Sequence, residues 1–252
     1  MSLAPPIITL LTDFGTADGY VGELKGVLAS SAPGALLLDI THDVPAQDVE
    51  SGRLALARCW RRFPSGTVHL AVVDPGVGSA RRALAVASDG RFLVGPDNGL
   101  LSPALLIAGA RVVDLPIPAS AAATFHGRDV FAPAAAALAT GTPLEDLGRP
   151  IEDPIMRRTP EAHRRIDGCI EGQVIAVDRF GNAITNLVGR LGGTLELNGT
   201  MLPVRRSYAD VDTGAPAALV GSTGLIEIAV REGSGAERFG LHRGSKVVLH
   251  PR

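Results

Sequence analysis

The chain has 252 residues, 46% hydrophobic and 20% charged, which provides for one large domain or two modest ones with real cores and excludes disorder as its dominant state. Its 24 basic and 26 acidic residues leave a net charge of -2, so nothing draws it to nucleic acid or an anionic membrane by bulk electrostatics. One Trp, two Tyr and seven Phe argue against a base-stacking surface, whereas 30 Gly and 18 Pro argue for many tight backbone turns.

Ile7 to Thr12 reads as a buried strand closed by the turn Asp13-Phe14-Gly15-Thr16. Val21, Leu24, Val27 and Leu28 then recur at helical spacing until Pro33-Gly34 stops the helix. Leu36 to Ile40 is a second strand, residues 48 to 63 a helix carrying Val49, Leu54, Leu56, Trp60 and Phe63, and Val68 to Val73 a third strand ending in Asp74-Pro75-Gly76-Val77-Gly78. Leu84 to Ala87 and Phe92 to Val94 form a hairpin around Asp89-Gly90. Thr124-Phe125-His126-Gly127-Arg128-Asp129 precedes an Ala-rich helix, Val130 to Ala139. This alternation predicts an α/β N-terminal domain, residues 1–150, with a central, mostly parallel sheet. Residues 141–168, rich in Pro and charge without periodicity, read as a linker. Beyond it, Gln173–Asp178, Thr194–Leu197, Ala217–Val220, Leu225–Val230 and Lys246–Leu249 predict a smaller all-β, barrel-like domain over 169–252.

Cys59 and Cys169 stand apart with no Cys-x-x-Cys pair, so they predict neither a disulfide framework nor a zinc site, and read as buried thiols of a reducing cytosol. No basic leader opens the chain and no run reaches the ~18 apolar residues of a membrane span, so a soluble, cytoplasmic protein is expected.

Ligands of open α/β sheets sit beyond the carboxyl ends of strands, where Asp13 and Asp74 fall. Asp is also a common turn residue, and either position alone is as well explained by a turn; two together favour a site. His126, Arg128 and Asp129 add a proton-transfer group, a fixed cation and an acid, although each is also explained by capping and packing at a helix start. Asp178-Arg179-Phe180-Gly181-Asn182 and Gly221-Ser222-Thr223-Gly224 combine tight turns with polar side chains, and composition alone does not separate hairpin turns from a ligand site there. The Asp13-Phe14-Gly15 match to the kinase magnesium motif lacks every companion motif, and Gly76-Val77-Gly78 lacks the third glycine of a dinucleotide fingerprint.

Taken in order, Thr12–Thr16, Asp39-Ile40-Thr41-His42, Val72–Gly78, Gly95-Pro96-Asp97-Asn98-Gly99, Phe125–Asp129, Asp178–Asn182 and Ser222–Gly224 resemble the S-adenosyl-L-methionine hydroxide adenosyltransferase family, relatives of the fluorinase and chlorinase. The resemblance implies an N-terminal α/β domain, a C-terminal β-barrel, and a homotrimer with sites between the N-terminal domain of one subunit and the C-terminal domain of its neighbour. It implies attack of water or hydroxide on C5′ of S-adenosylmethionine, giving adenosine and L-methionine. No cofactor or metal is implied, S-adenosylmethionine being the substrate. The family's Asp, Arg, His triad maps onto Asp74, Arg81 and His126, with the adjacent Arg82 an alternative for the arginine. Asp74 and His126 would orient and deprotonate the water while Arg81 supplies positive charge. Asp13 would hold the ribose hydroxyls, Asp178 the methionine ammonium, Phe180 and Asn182 the adenosine, Ser222 and Glu227 the amino-acid end, and backbone near Val230 the adenine edge.

Three alternatives stay open at this stage. A halogenase is disfavoured by the short path from Asp74 to Arg81 and by Gly127, which stands where the fluorinase carries Ser; the chlorinase also has Gly there, which leaves chloride open. A metal-dependent phosphatase would draw ligands from the strand-end Asp residues with His42 and His126. A non-catalytic sensor would bind S-adenosylmethionine without forming adenosine.

Overall fold

A seven-stranded mixed sheet organises the first of two units into which the chain divides, Met1–Arg158 and Thr159–Arg252. The structure is a computed structural model describing residues 4–189 and 191–251. In chain order the first unit holds β1 (Ile7–Thr12), α1 (Tyr20–Ser31), β2 (Leu36–Thr41), α2 (Val49–Cys59), β3 (Val68–Val72), β4 (Ala83–Ser88), β5 (Arg91–Pro96), α3 (Ser102–Leu105), β6 (Arg111–Leu115), α4 (Ala132–Ala139) and β7 (Arg149–Pro150). The sheet order is β2-β1-β3-β5-β4-β6-β7. Pairings from β2 through β5 are parallel, and β5–β4, β4–β6 and β6–β7 are antiparallel, so the sheet expected to be mostly parallel is mixed, parallel over one half.

Within the parallel half, β1 and β3 are buried on both faces, which is why they read as continuous apolar runs, while β2 lies at the sheet edge and is partly exposed. Ile8 and Leu10 of β1 with Val68, Leu70 and Val72 of β3 pack under α1 and α4. Leu11, Ala71 and Val73 point the other way, toward Leu56 of α2, Trp60 and Leu100. From β1 the chain turns through α1 to β2 on one side and returns through α2 to β3 on the other. The β1/β3 boundary is therefore the switch point of the sheet, and the crevice beyond the carboxyl ends of these two strands is where α/β sheets bind ligands.

Two local features were legible from sequence. Asp89 and Gly90 both take positive φ, 48° and 71°, the two-residue turn a β4–β5 hairpin needs. The helix expected over 48–63 ends at Cys59 and tightens into a 3-10 turn, Trp60–Arg62. The strand β6 was not expected, and residues 141–158 are not free linker. Leu144 is buried in the core, β7 pairs with β6, and Ile155 N–H donates to Asp97 Oδ1 at 2.7 Å.

The second unit adds β8 (His163–Arg164), β9 (Ile170–Val177), β10 (Ala183–Val188), β11 (Thr194–Leu197), β12 (Thr200–Arg205), β13 (Pro216–Val220), β14 (Leu225–Val230), α5 (Gly235–Phe239) and β15 (Lys246–His250). Seven strands, in the order β10-β14-β13-β12-β11-β15-β9, close into a barrel through the β9–β10 pairing, with β8 added outside β9. Closure removes the sheet edges that so small an all-β unit would otherwise expose. Val174, Leu187, Leu195, Ile226, Ile228 and Val247 fill its interior.

His69 in β3 makes the first unit acid-sensitive. Its ring is fully buried, holds Thr9 Oγ1 at 2.7 Å through Nδ1 and lies edge-on to Trp60 and Phe63. Burial pushes its pKa down to about 4. Between pH ~6.5 and 4 the unfolded chain binds a proton that the folded chain refuses, so stability rises with pH there and is lost on acidification, by up to about 3 kcal/mol. Denaturant midpoints across this window are expected to fall steeply for the wild type and less for His69→Gln. Equal slopes would show that His69 is not the group responsible.

Candidate active site

The residues expected at the strand ends meet at the switch point. Asp13 follows β1 and Asp74 follows β3, neighbouring parallel strands registered Thr12 to Val72. Asn98 Nδ2 donates to the Val73 carbonyl at 2.8 Å, pinning the backbone that leads into Asp74. From Asp74 a tight loop returns to β4 and brings Arg81 back onto it. Arg81 Nε lies 3.0 and 3.1 Å from the two Asp74 oxygens, and Nη2 also donates to Oδ2. The same Nη2 lies 2.8 Å from His126 Nδ1. Arg82 turns elsewhere, to Asp97 and Asp153. Of the two adjacent arginines, Arg81 is the one in contact with both Asp74 and His126.

This cluster is nearly closed to solvent. The Arg81 and Asp74 side chains are 9% and 6% exposed and His126 3%, with the Arg81 guanidinium 5.1 Å from the centre of the buried Phe131 ring. Guanidinium nitrogens only donate, so His126 Nδ1 must accept and the neutral ring carries its hydrogen on Nε2. Burial, then the Arg81 charge, push the His126 pKa down, outweighing Asp74 and Asp129. A two-point carboxylate–guanidinium pair beside a neutral imidazole leaves the cluster with almost no net charge.

His126 is presented by an unusual turn. Residues Gly127–Phe131 form a π-helical turn running into α4, where an ordinary helix beginning at Val130 was expected. Such turns are rare and concentrate at functional sites. Gly127 faces Phe14 and Phe125, which form an edge-to-face trio with Tyr20. A Cβ at Gly127 would sit 3.2 Å from both rings, so a serine there requires the aromatic pair to move. Arg128 and Asp129 are not part of the cluster. They pair with each other, Arg128 also reaches Glu23 of α1, and the Asp129 carboxylate caps the Ala122 amide. Asp13 Oδ2 accepts from the Gln47 amide at 2.7 Å, and Oδ1 has no partner among the described residues.

The barrel carries a second group of expected residues. Asp178 Oδ1 accepts from the amides of Phe180 and Asn182, and Oδ2 accepts from Asn182 Nδ2, all at 2.9 Å. Phe180 is thereby held out at 78% exposure, above Gly181, whose φ of 78° and contact with Ser234 admit no side chain. Glu227 is buried on β14 with its carboxylate against Gly221, and exposed Ser222 lies in the β13–β14 hairpin turn. Val230 ends β14, and its carbonyl is taken by the Gly233 amide. Tyr208, which sequence reasoning missed, joins this group. Burial and then the charges of Glu227 and Asp178 raise its pKa, while a hydrogen bond with Asn182 opposes them. Tyr208 lies on a separate 3-10 turn, so no local motif announced it.

Fold and site define the class: a two-unit protein with an α/β switch-point site of Asp, Arg and His and a seven-stranded barrel bearing a polar, aromatic-edged turn cluster. Models of the N-terminal and C-terminal domains of the SAM hydroxide adenosyltransferases match residues 8–148 and 172–248 respectively, and the chain belongs to that family. It is 46% identical to an (R)-S-adenosyl-L-methionine hydrolase of Thermus thermophilus, over 96% of this chain and 98% of the other. It is 42% identical to one of Salinispora tropica, over 97% and 98%, and 30% identical to a fluorinase of Actinopolyspora mzabensis, over 98% and 97%. A solved structure of a conserved protein from Thermotoga maritima superposes with a TM-score of 0.89 at 31% identity, covering 97% of this chain and all of that one. A Thermus thermophilus structure, 45% identical, gives 0.82 over 97% and 99%.

Proposed function

We propose that this protein hydrolyses S-adenosyl-L-methionine to adenosine and L-methionine by attack of water on C5′. The observation that carries the reading is the Asp74–Arg81–His126 cluster at the switch point, set in a chain 42–46% identical to named (R)-S-adenosyl-L-methionine hydrolases.

In the reaction the C5′–O bond forms as the C5′–S bond breaks. The electron pair of that bond goes to sulfur, so the sulfonium leaves as a neutral thioether that needs no acid to depart. The attacking water becomes strongly acidic as it bonds to carbon, so a carboxylate suffices to take its proton. With Nδ1 committed to Arg81, a neutral His126 offers an N–H and not a lone pair, so His126 orients the water and Asp74 takes the proton. Arg81 holds the other two in place and balances the carboxylate's charge. A neutral His126 also spares the sulfonium a second cation. Positioning in line with C5′–S contributes much of the rate. Asp13 grips the ribose hydroxyls, Asp178, Ser222 and Glu227 receive the methionine end, and Phe180, Asn182 and the backbone at Val230 receive the adenosine.

We further propose that the protein is cytoplasmic, needs no cofactor or metal, and works as a homotrimer in which the N-terminal cluster of one subunit completes the barrel cluster of its neighbour. The family resemblance supports the trimer. Among the described residues, no helix is long and apolar enough to cross a membrane, and no three His, Cys, Asp or Glu side chains converge as metal ligands. His42 and His126, the ligands a phosphatase reading needs, belong to separate networks. The crowding at Gly127 supports water over fluoride.

Incubation with S-adenosylmethionine in oxygen-18 water is expected to give adenosine carrying one label at the 5′-oxygen. Run on the resolved sulfur epimers, it also reads the stereochemical preference. Unlabelled adenosine, 5′-chloro-5′-deoxyadenosine in the presence of chloride, or binding without product would each replace this reading.

A further inference from the structure

One network beside the site, buried at Thr12 and His42 and exposed at Asp39 and Lys25, has no part in the mechanism above. His42, the residue that follows β2, is 4% exposed. Its Nδ1 lies 2.8 Å from Thr12 Oγ1, and its Nε2 lies 3.1 Å from Asp39 Oδ1. Asp39 Oδ2 accepts from Lys25 Nζ at 2.7 Å. On the inner side, the Phe14 amide donates to Thr12 Oγ1 at 3.3 Å. A neutral imidazole lets the hydrogen bonds on the Thr12 side run in one direction. The Phe14 amide donates to the Thr12 hydroxyl and that hydroxyl donates to His42 Nδ1, while His42 Nε2 faces Asp39 within ion-pair distance but without an aligned hydrogen bond. Burial pushes Asp39 up, but Lys25 and His42 together outweigh it and hold the carboxylate below its usual range.

The same loop ties the turn at two further points. The His42 carbonyl accepts from the Gly15 amide at 2.8 Å, and the Gln47 amide reaches Asp13 Oδ2 at 2.7 Å. Gln47 does so from φ 66°, a left-handed conformation unfavourable for any residue but glycine, kept where the surroundings over-determine it. Residues 12–15 are thus held from one side by residues 42–47, and the carboxylate between them is left with one oxygen that has no partner among the described residues.

We infer that the Asp39–His42 pair is a positioning relay which, through Thr12 and the 42–47 loop, fixes the rotation of the Asp13 carboxylate for a vicinal diol. The inference rests on the reading that Asp13 grips the substrate ribose. None of these relay residues touches the reacting atoms, so their effect falls on substrate binding and not on the chemical step.

The test is Thr12→Val, which keeps the shape and deletes the hydroxyl. The KM for S-adenosylmethionine is expected to rise about tenfold while kcat stays within about threefold, the consequence of one buried hydrogen bond acting on binding alone. Thr12→Ser is expected to restore the wild-type KM. His42→Asn, whose side-chain oxygen stands near the position of Nδ1, is expected to fall between them. In an Asp13→Ala background, Thr12→Val should change KM less than twofold, because its target is gone. A purely structural role predicts instead a lower melting temperature and active fraction with KM unmoved, and an undiminished effect without Asp13; either result overturns the relay. Calorimetric titration with adenosine and 2′,3′-dideoxyadenosine separates the two readings. The affinity lost with the hydroxyls should be smaller in Thr12→Val than in the wild type, and equal losses overturn the relay. If the wild type forms no adenosine from S-adenosylmethionine, the hydrolase reading falls while this titration still decides the relay.

Discussion

Replacing Arg81 with methionine is expected to lower kcat for adenosine formation by about three orders of magnitude, the scale of losing a preorganised charged donor in a water-excluded site. The arginine serves both other members of the cluster. It gives two-point contact to Asp74 and one hydrogen bond to His126 Nδ1, and all three side chains are nearly closed to solvent. Its removal leaves the Asp74 carboxylate buried and uncompensated and frees His126 to change tautomer. Breaking a buried ion pair from one side costs about 3–5 kcal/mol, so turnover must be referred to the folded fraction. Arg81→Lys keeps the charge without the planar two-point geometry and should recover little of the activity. Arg82→Met is the matched control. Its guanidinium is 28% exposed and bonds buried Asp97 and exposed Asp153, so its loss also leaves a buried carboxylate uncompensated and lowers stability, while turnover per folded molecule should stay within about threefold because neither partner belongs to the cluster. A loss at Arg82 with none at Arg81 would reverse the assignment.

Substituting alanine at Gly78 is the second large effect expected. Gly78 holds φ 75°, and a Cβ there would lie 2.5 Å from the Ala123 carbonyl oxygen. That close approach seats the Asp74–Arg81 loop on the loop that delivers His126. Two costs therefore add, the left-handed conformation of a non-glycine residue, about 1–2 kcal/mol, and a forced separation of the two loops. A displacement near 1 Å is enough to lower catalysis about a hundredfold. Gly34→Ala separates the costs, because Gly34 holds φ 86° with nothing within 4 Å of a Cβ. It should lose stability and keep full turnover, whereas Gly78→Ala should lose more stability and most of its turnover. Unfolding midpoints and kcat on both variants decide the matter. Equal turnover would mean that the Gly78 contact does not set the triad's geometry.

Nearly every position read correctly from the amino-acid order is one where the cause is local. Asp13 and Asp74 were found because a parallel strand buried on both faces is an unbroken apolar run, and its end is visible. The hairpin at Asp89-Gly90 was found because both residues must take positive φ. The strands that escaped notice carry poor local signals. β12 contains Pro203, β10 contains Asn186, and β6 is five residues long with Arg and Asp in it. Residues 141–158 lack periodicity because their order comes from pairing with β6 and from Asp97, distant in the chain.

The sequence by itself determined the class of the fold, the strand ends that carry the carboxylates, and the family, because each is written in short-range patterns and in motifs set in order. Only the tertiary structure puts Arg81, and not Arg82, in contact with Asp74 and His126, since neighbours in extended chain point to opposite sides and the phase is set by β4. It also decided that His126 meets Arg81 through Nδ1, that Arg128 and Asp129 serve each other, that Tyr208 sits with Asp178 and Glu227, and that His42 stands behind Thr12. Each of these is a contact between segments far apart in the chain, settled by packing and by the need of buried polar groups for partners, which no local pattern encodes.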